Sequence, residues 1–235
     1  MILAVITARS GSKSVPHKNI RNLGEIPLIG WTVKAVSKSK LIDKIILSTD
    51  SEKYFEIAKS FNEKIVFYKR PPVLAEDVPS ELVLIDVIKK SEDFLDENSI
   101  IVMIQPTTPF ITGKDVDECI TKILTNPNVN SCISVKQMSE HPEWAITTEN
   151  DKHDLGTCMD RSGNTNVRQH LRKRWIPNGG IWVVRKSFFD KTRKIVDNEG
   201  TLIHPMSKIN SIDIDDEDDF IICEALVEFG VFNKK

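Results

Sequence analysis

Small and cationic residues crowd into one stretch near the start of the chain, Ala8-Arg9-Ser10-Gly11-Ser12-Lys13-Ser14-Val15-Pro16-His17-Lys18-Asn19. Short side chains such as Ser12 let backbone N–H groups approach a phosphate closely, while Arg9, Lys13 and Lys18 supply neutralising charge. The stretch contains no Gly-x-Gly-x-x-Gly and does not end in Gly-Lys-Ser/Thr, so it is neither a dinucleotide fingerprint nor a Walker A loop. A solvated basic loop is the competing reading on residues alone. Towards the other end, Ile212-Asp213-Ile214-Asp215 leads into Asp216-Glu217-Asp218-Asp219. At strand period Asp213 and Asp215 point to one face, and two hard oxygen ligands on one side suit magnesium that also binds substrate phosphates. The acidic residues from Asp216 onward fit the first turn of a helix. Metal is therefore assigned to Asp213 and Asp215 alone.

Weaker signals lie between these two. Gln105-Pro106-Thr107-Thr108-Pro109 closes an apolar run, and Gln105 offers both a donor and an acceptor; a strand-ending turn explains the segment equally well. Arg168 has the planar fork that clamps a carboxylate, and Pro177-Asn178-Gly179-Gly180 follows it. Arg172, Lys173 and Arg174 read as surface charge, and no histidine is assigned a role.

The elements that must position these residues are legible from hydrophobic period. Short runs rich in β-branched residues alternate with helical segments, the pattern of βαβ units and a mainly parallel sheet. Strands are expected at Ile2–Thr7, Lys44–Ser48, Lys64–Phe67, Ile100–Ile104 and Ser131–Val135. Helices are expected near Ile29–Lys38, Ser51–Phe61, Ser80–Phe94 and Lys114–Leu124. The basic loop then follows the first strand, and in a doubly wound sheet ligands bind beyond the strands' C-terminal ends. From Gln137 to Pro177 the pattern breaks, with turn signals at 149–151 and 161–164, and a long irregular stretch of this kind is usually functional. Regular structure is expected again at Gly180–Val184, in a helix near Ser187–Ile195, in a strand at Ile209–Ile214 and in a last helix from Asp216 to Phe229. The 235 residues suit one α/β domain, with 137–177 as an insert.

Composition narrows the classes of function. Lys and Arg number 32 against 34 Asp and Glu, so no bulk positive field attracts nucleic acid. The four cysteines form no CxxC pair and read as free thiols of a reducing compartment. No stretch approaches the ~20 apolar residues of a membrane span, and the apolar start reads as a first strand, so a cytoplasmic protein without membrane contact is expected.

In this order the segments resemble the acylneuraminate cytidylyltransferases, the CMP-sialic acid synthetase family. That family opens with a strand and Ala-Arg-x-x-Ser-Lys-x-x-Pro-x-Lys-Asn, which Ala8 to Asn19 matches. Leu47-Ser48-Thr49-Asp50, then Arg70-Pro71 with Leu74-Ala75 and Asp77, then Gln105–Pro109, Pro177-Asn178-Gly179 and Asp213–Asp215 follow in register. The resemblance implies a mainly parallel, Rossmann-like nucleotidyltransferase sheet with helices on both faces and a small dimerisation insert. It implies CTP at the first loop, with Arg9 and Lys18 on the triphosphate and Ser12 and Lys13 beside them. Asn19, Arg70 and the Pro79-Ser80 backbone would place ribose and cytosine. Gln105, Arg168 and Asn178 would face an acidic sugar of the N-acetylneuraminic, legionaminic or pseudaminic type. Mg2+ would sit on Asp213 and Asp215, which with Arg9 and Lys18 form the catalytic set, and the chain would act as a homodimer. Some positions depart from the family pattern: Glu81 for a Ser, Ile111 and Ile176 for arginines, and Trp182 for a Tyr. A cytidylyltransferase for Kdo or another acidic acceptor is the nearest rival, and an inactive nucleotide-binding relative is a more distant one. A dehydrogenase lacks its glycine fingerprint here.

Overall fold

The computed structural model describes residues 1–148, 156–158 and 171–231. In chain order the strands and helices are β1 (Ile2–Thr7), β2 (Asn22–Leu23), β3 (Ile26–Pro27), α1 (Leu28–Ser37), β4 (Lys44–Thr49), α2 (Glu52–Lys59), β5 (Val66–Lys69), α3 (Ser80–Lys89), β6 (Ile100–Ile104), α4 (Gly113–Thr125), β7 (Ser131–Gln137), β8 (Ile146–Thr148), β9 (Gly156–Cys158), β10 (Trp175–Arg185), α5 (Lys186–Thr192), β11 (Thr201–Pro205) and α6 (Glu217–Glu228).

A seven-stranded sheet in the order β11-β7-β10-β6-β1-β4-β5 forms the centre. Only β10 is antiparallel to its neighbours. Alternation along the strands divides the core between two faces. Ala4 and Ile6 of β1 pack with Ile29, Val33, Ala58 and Ile120 of α1, α2 and α4. Leu3 and Val5 pack with Leu84 and Val87 of α3 and Phe189 of α5 on the other face. Each of the Leu, Ile, Val and Phe side chains among them, fully buried, contributes about 1.5–3 kcal/mol. The mainly parallel, Rossmann-like sheet covered on both faces is therefore present as expected.

Local signals fix several boundaries. Ser51 caps α2 through its hydroxyl on the Tyr54 N–H, as expected. Thr112 and Asp115 close a capping box on α4, and Asp216 and Asp219 close one on α6, so this part of the acidic run does cap a helix. Helix α3 ends at Lys89, before the expected Phe94, where the Ser91 hydroxyl bonds back to Val87 and the Phe94 N–H bonds to Ser91.

The expected strand at Ile209–Ile214 is absent. Ser207 turns the chain there instead: its hydroxyl receives the Asn210 N–H at 3.1 Å and its carbonyl receives the Ser211 N–H at 3.0 Å. Side-chain bonds of this kind compete with strand pairing. The sheet edge is filled by Thr201–Pro205, parallel to β7, which the sequence reading passed over. The 137–177 segment is less irregular than expected. It contains a 3-10 turn at Pro142–Trp144 and the β8–β9 hairpin, and β10 begins at Trp175 rather than Gly180. Arg168 and the turn signals at 149–151 and 161–164 lie outside the described residues.

Candidate active site

Parallel pairing brings the C-terminal ends of β1, β4, β5 and β6 to one edge of the sheet. A cavity of about 390 Å³ opens there, and Arg9, Ser12, Lys13, Lys18, Asn19, Arg70, Ser80 and Gln105 all line it. These residues come from three separate strand ends, those of β1, β5 and β6, and from the start of α3, so the sheet topology brings them together.

The basic loop is anchored on both sides. Asp50, after β4, accepts the Ser10 N–H at 2.8 Å and the Ser10 hydroxyl. The Tyr54 hydroxyl lies 3.4 Å from both the Ser10 carbonyl and His17 Nδ1. His17 turns the chain with a left-handed φ of 54°. Asn19 donates to the Arg9 carbonyl at 2.9 Å, and its own side-chain oxygen is buried without a partner among the described residues. Arg70 is buried, with its guanidinium on the Ser48 carbonyl at 2.9 Å. Burial pushes its pKa down to about 10, against the opposing field of Asp50. Arg9 and Lys13 meet at Asp77 across the cavity mouth. Their hydrogen bonds hold the Asp77 carboxyl below its ordinary value, and the bond from Lys13 contributes most.

Lys18 links the loop to the acidic segment. It is 8 % exposed, and its ammonium donates to the Ile214 carbonyl at 2.5 Å. Burial lowers its pKa, opposed by the charges of Asp215, Asp213 and Asp219. The Ser14 hydroxyl donates to the Asp215 carbonyl. Below these contacts, Val15 and Ile214 share a satellite apolar cluster with Phe110 and Phe220. Val15 stands in the basic loop and Ile214 between the two aspartates, so this cluster clamps the segments against each other.

Asp213 sits behind the Thr107 wall of the cavity, close enough for the Thr107 hydroxyl to favour its charged form. One carboxylate oxygen is buried with no partner among the described residues. Burial raises its carboxyl, helped by the negative charge of Asp215 and opposed by Thr107, Lys18 and Lys136. Asp215 is exposed. The two carboxylates flank Ile214 without the strand that the sequence suggested, because the turn at Ser207 and the Ile214 N–H bond to Thr107 now hold them. An unsatisfied buried carboxylate oxygen beside a second, exposed carboxylate fits a hard cation that takes its remaining ligands from water and phosphate.

Asn178 does not face the cavity. Its side chain is 2 % exposed, receives the Ser134 hydroxyl at 2.6 Å and donates to Ser211 at 2.9 Å. It ties the Ser211–Asp215 segment to β7, so the expected direct contact with an acceptor is corrected to a positioning role. Gly179 was missed as a site residue. Its φ is +75°, and a Cβ there would stand 2.5 Å from the Asp213 carboxylate. Its place after Pro177-Asn178 was the available signal, but the approach of Asp213 is a tertiary contact.

Comparison with known proteins bears on the family and the fold. The sequence model of the cytidylyltransferase family matches residues 3–162. The chain belongs to the cytidylyltransferase family. Among curated cytidylyltransferase relatives, the N-acylneuraminate cytidylyltransferase of Escherichia coli O18:K1:H7 is 32% identical over 93% of this chain and 50% of its own length. The chain thus spans about half the length of that relative. The post-translational flagellin modification protein B of Campylobacter coli is 28% identical over 97% of this chain and 95% of its own. A solved CMP:2-keto-3-deoxy-manno-octonic acid synthetase, complexed with CTP, superposes with a TM-score of 0.68 at 15% identity, covering 97% of this chain and 99% of its own. This likeness bears on the fold. Among the described residues, no helix of this cytidylyltransferase is long and apolar enough to cross a membrane.

Proposed function

We propose that this cytidylyltransferase transfers CMP from CTP to the anomeric hydroxyl of a carboxylated sugar of the nonulosonic type, releasing pyrophosphate. The observation that carries this reading is the cavity itself: the cations of one loop line it, and Lys18 of that loop donates to the Ile214 carbonyl, between Asp213 and Asp215. The names of the relatives add support for a sialic-type acceptor.

The triphosphate lies along Arg9, Lys13 and Lys18, and displaces the Asp77 contacts of the first two. Asn19 and Arg70, at the deeper end, contact the nucleoside with the Ser80 backbone, and Gln105 contacts the acceptor. The acceptor hydroxyl oxygen attacks the α-phosphorus in line, a new P–O bond forms, and the bond to the β-phosphate breaks. Pyrophosphate leaves with the electron pair, and the hydroxyl proton passes to water. Positioning and charge neutralisation account for most of such a transfer. Asp213 and Asp215 would hold magnesium, which when bound neutralises phosphate charge and polarises the phosphorus. Lys18 keeps those carboxylates against the phosphate loop. We assign the subunit contact of a homodimer to the 137–177 insert, where Ile146 of β8 is exposed, and light scattering on the purified chain tests that assignment.

Pyrophosphate release from CTP and magnesium tests the function, with N-acetylneuraminic, legionaminic and pseudaminic acids, Kdo and no acceptor in parallel. Release with one nonulosonic acid is expected. Release with none of the acids refutes the reading.

A further inference from the structure

One cation near the site has no part in the scheme above. Lys136 lies at the C-terminal end of β7. That strand is antiparallel to β10, which is antiparallel to β6, so its end opens on the same edge as Gln105. In the β7–β10 register Lys136 stands directly opposite Ile176. Opposed residues share a sheet face, and so do alternate residues along one strand. Lys136 therefore shares a face with Ile176 and Ser134. Ser134 holds Asn178, and Asn178 holds Ser211, which lays the segment carrying Asp213 over that face.

The ammonium is in an unusual position. Lys136 is half-buried, yet among the described residues it makes no hydrogen bond and no ion pair. The three donors of its ammonium are left for a ligand. Its field reaches the Asp213 carboxyl and favours its charged form. Asp213 touches Thr107 beyond β6 and Gly179 in β10, so it stands between the phosphate cavity and the end of β7. Lys136 is thus on the far side of Asp213 from the loop that faces the triphosphate. Ile176 beside it is 40 % exposed and presents only apolar surface.

We propose that Lys136 is a specificity-determining residue that receives the carboxylate of the acceptor at the β7–β10 edge, beside Asp213. The assignment rests on the acidic-acceptor reading above. It also accounts for an apolar Ile176: the charge comes from the opposing strand.

The test is initial-rate kinetics of the full chain with CTP, magnesium and the acid that the panel selects, alongside the carboxamide of that acid. Lys136→Met should raise KM for the acid about tenfold or more, the scale of a lost charge-assisted contact. KM for CTP should stay within about twofold, and the carboxamide, already lacking the charge, should respond little to the substitution. Lys136→Gln should behave alike and serves where the Met variant does not fold. An unchanged KM for the acid overturns the proposal. So does an equal loss with acid and carboxamide, or a rise confined to CTP, since a lysine that merely balances Asp213 would give those results. Absence of pyrophosphate release with every acid is a different outcome, because it refutes the proposed function itself.

Discussion

Gly179→Ala isolates the contact that fixes Asp213. The residue holds a φ of +75°, and an added Cβ would stand 2.5 Å from one carboxylate oxygen of Asp213 and 3.1 Å from its Cγ. A left-handed conformation costs an alanine about 1–2 kcal/mol. Relief of the contact needs the carboxylate to move away, which weakens the favourable field of the Thr107 hydroxyl; the loss of a polar contact of this kind adds about 1 kcal/mol. A total of about 2–3 kcal/mol corresponds to a fall in melting temperature of roughly 4–12 °C for a chain of this size. Turnover should fall further than stability implies, because a displacement of about 1 Å near the reacting groups can cost about 100-fold. Thermal melting and pyrophosphate release on the same preparations check both effects. Gly200→Ala is the control, since a Cβ there meets nothing within 4 Å, and it should leave both unchanged. A normal melting temperature for Gly179→Ala would refute the packing argument. A lowered melting temperature with normal turnover would show that the Asp213 position is not needed for transfer.

Asp213→Asn separates stability from activity. Burial raises the Asp213 carboxyl, so the stability it contributes is full below the ordinary carboxyl range and is lost as pH rises through the raised value. The asparagine variant should therefore melt above the native protein near about pH 7, with the gap closing towards about pH 4. Its turnover should fall ~100-fold, and added magnesium should raise the melting temperature of the native protein only. Lys18→Ala and Asp215→Asn should each cut turnover by ~100-fold or more, and near-normal rates in both would remove them from the catalytic set. Arg70→Ala deletes a buried guanidinium bound to the Ser48 carbonyl; denaturant unfolding should show a loss of about 1–3 kcal/mol.

How much was legible in the sequence depends on the range of the interaction involved. Helix caps at Ser51 and Asp216 and the boundaries of β1 and β6 depend on neighbours close in sequence, and there the reading and the structure agree. The Ile209–Ile214 segment has strand-like alternation, but a serine hydroxyl two residues upstream closes a turn, and that local competition outweighs the period. Thr201–Pro205 is short, and it becomes a strand only because the edge of β7 is there to pair with it.

The same division holds at the site. Residue types and their order determined that a cationic loop follows the first strand, that an acidic pair precedes the last helix, and that a mainly parallel sheet lies between them. Those are properties of composition and period, which the chain carries wherever it folds. Only the tertiary structure decided that Lys18 reaches the Ile214 carbonyl from 196 positions away, that Asn178 is spent inside the protein, and that Gly179 makes room for Asp213. Each is a contact between segments distant in sequence, and its geometry comes from the stacking order of strands in the sheet, a choice that no local pattern encodes.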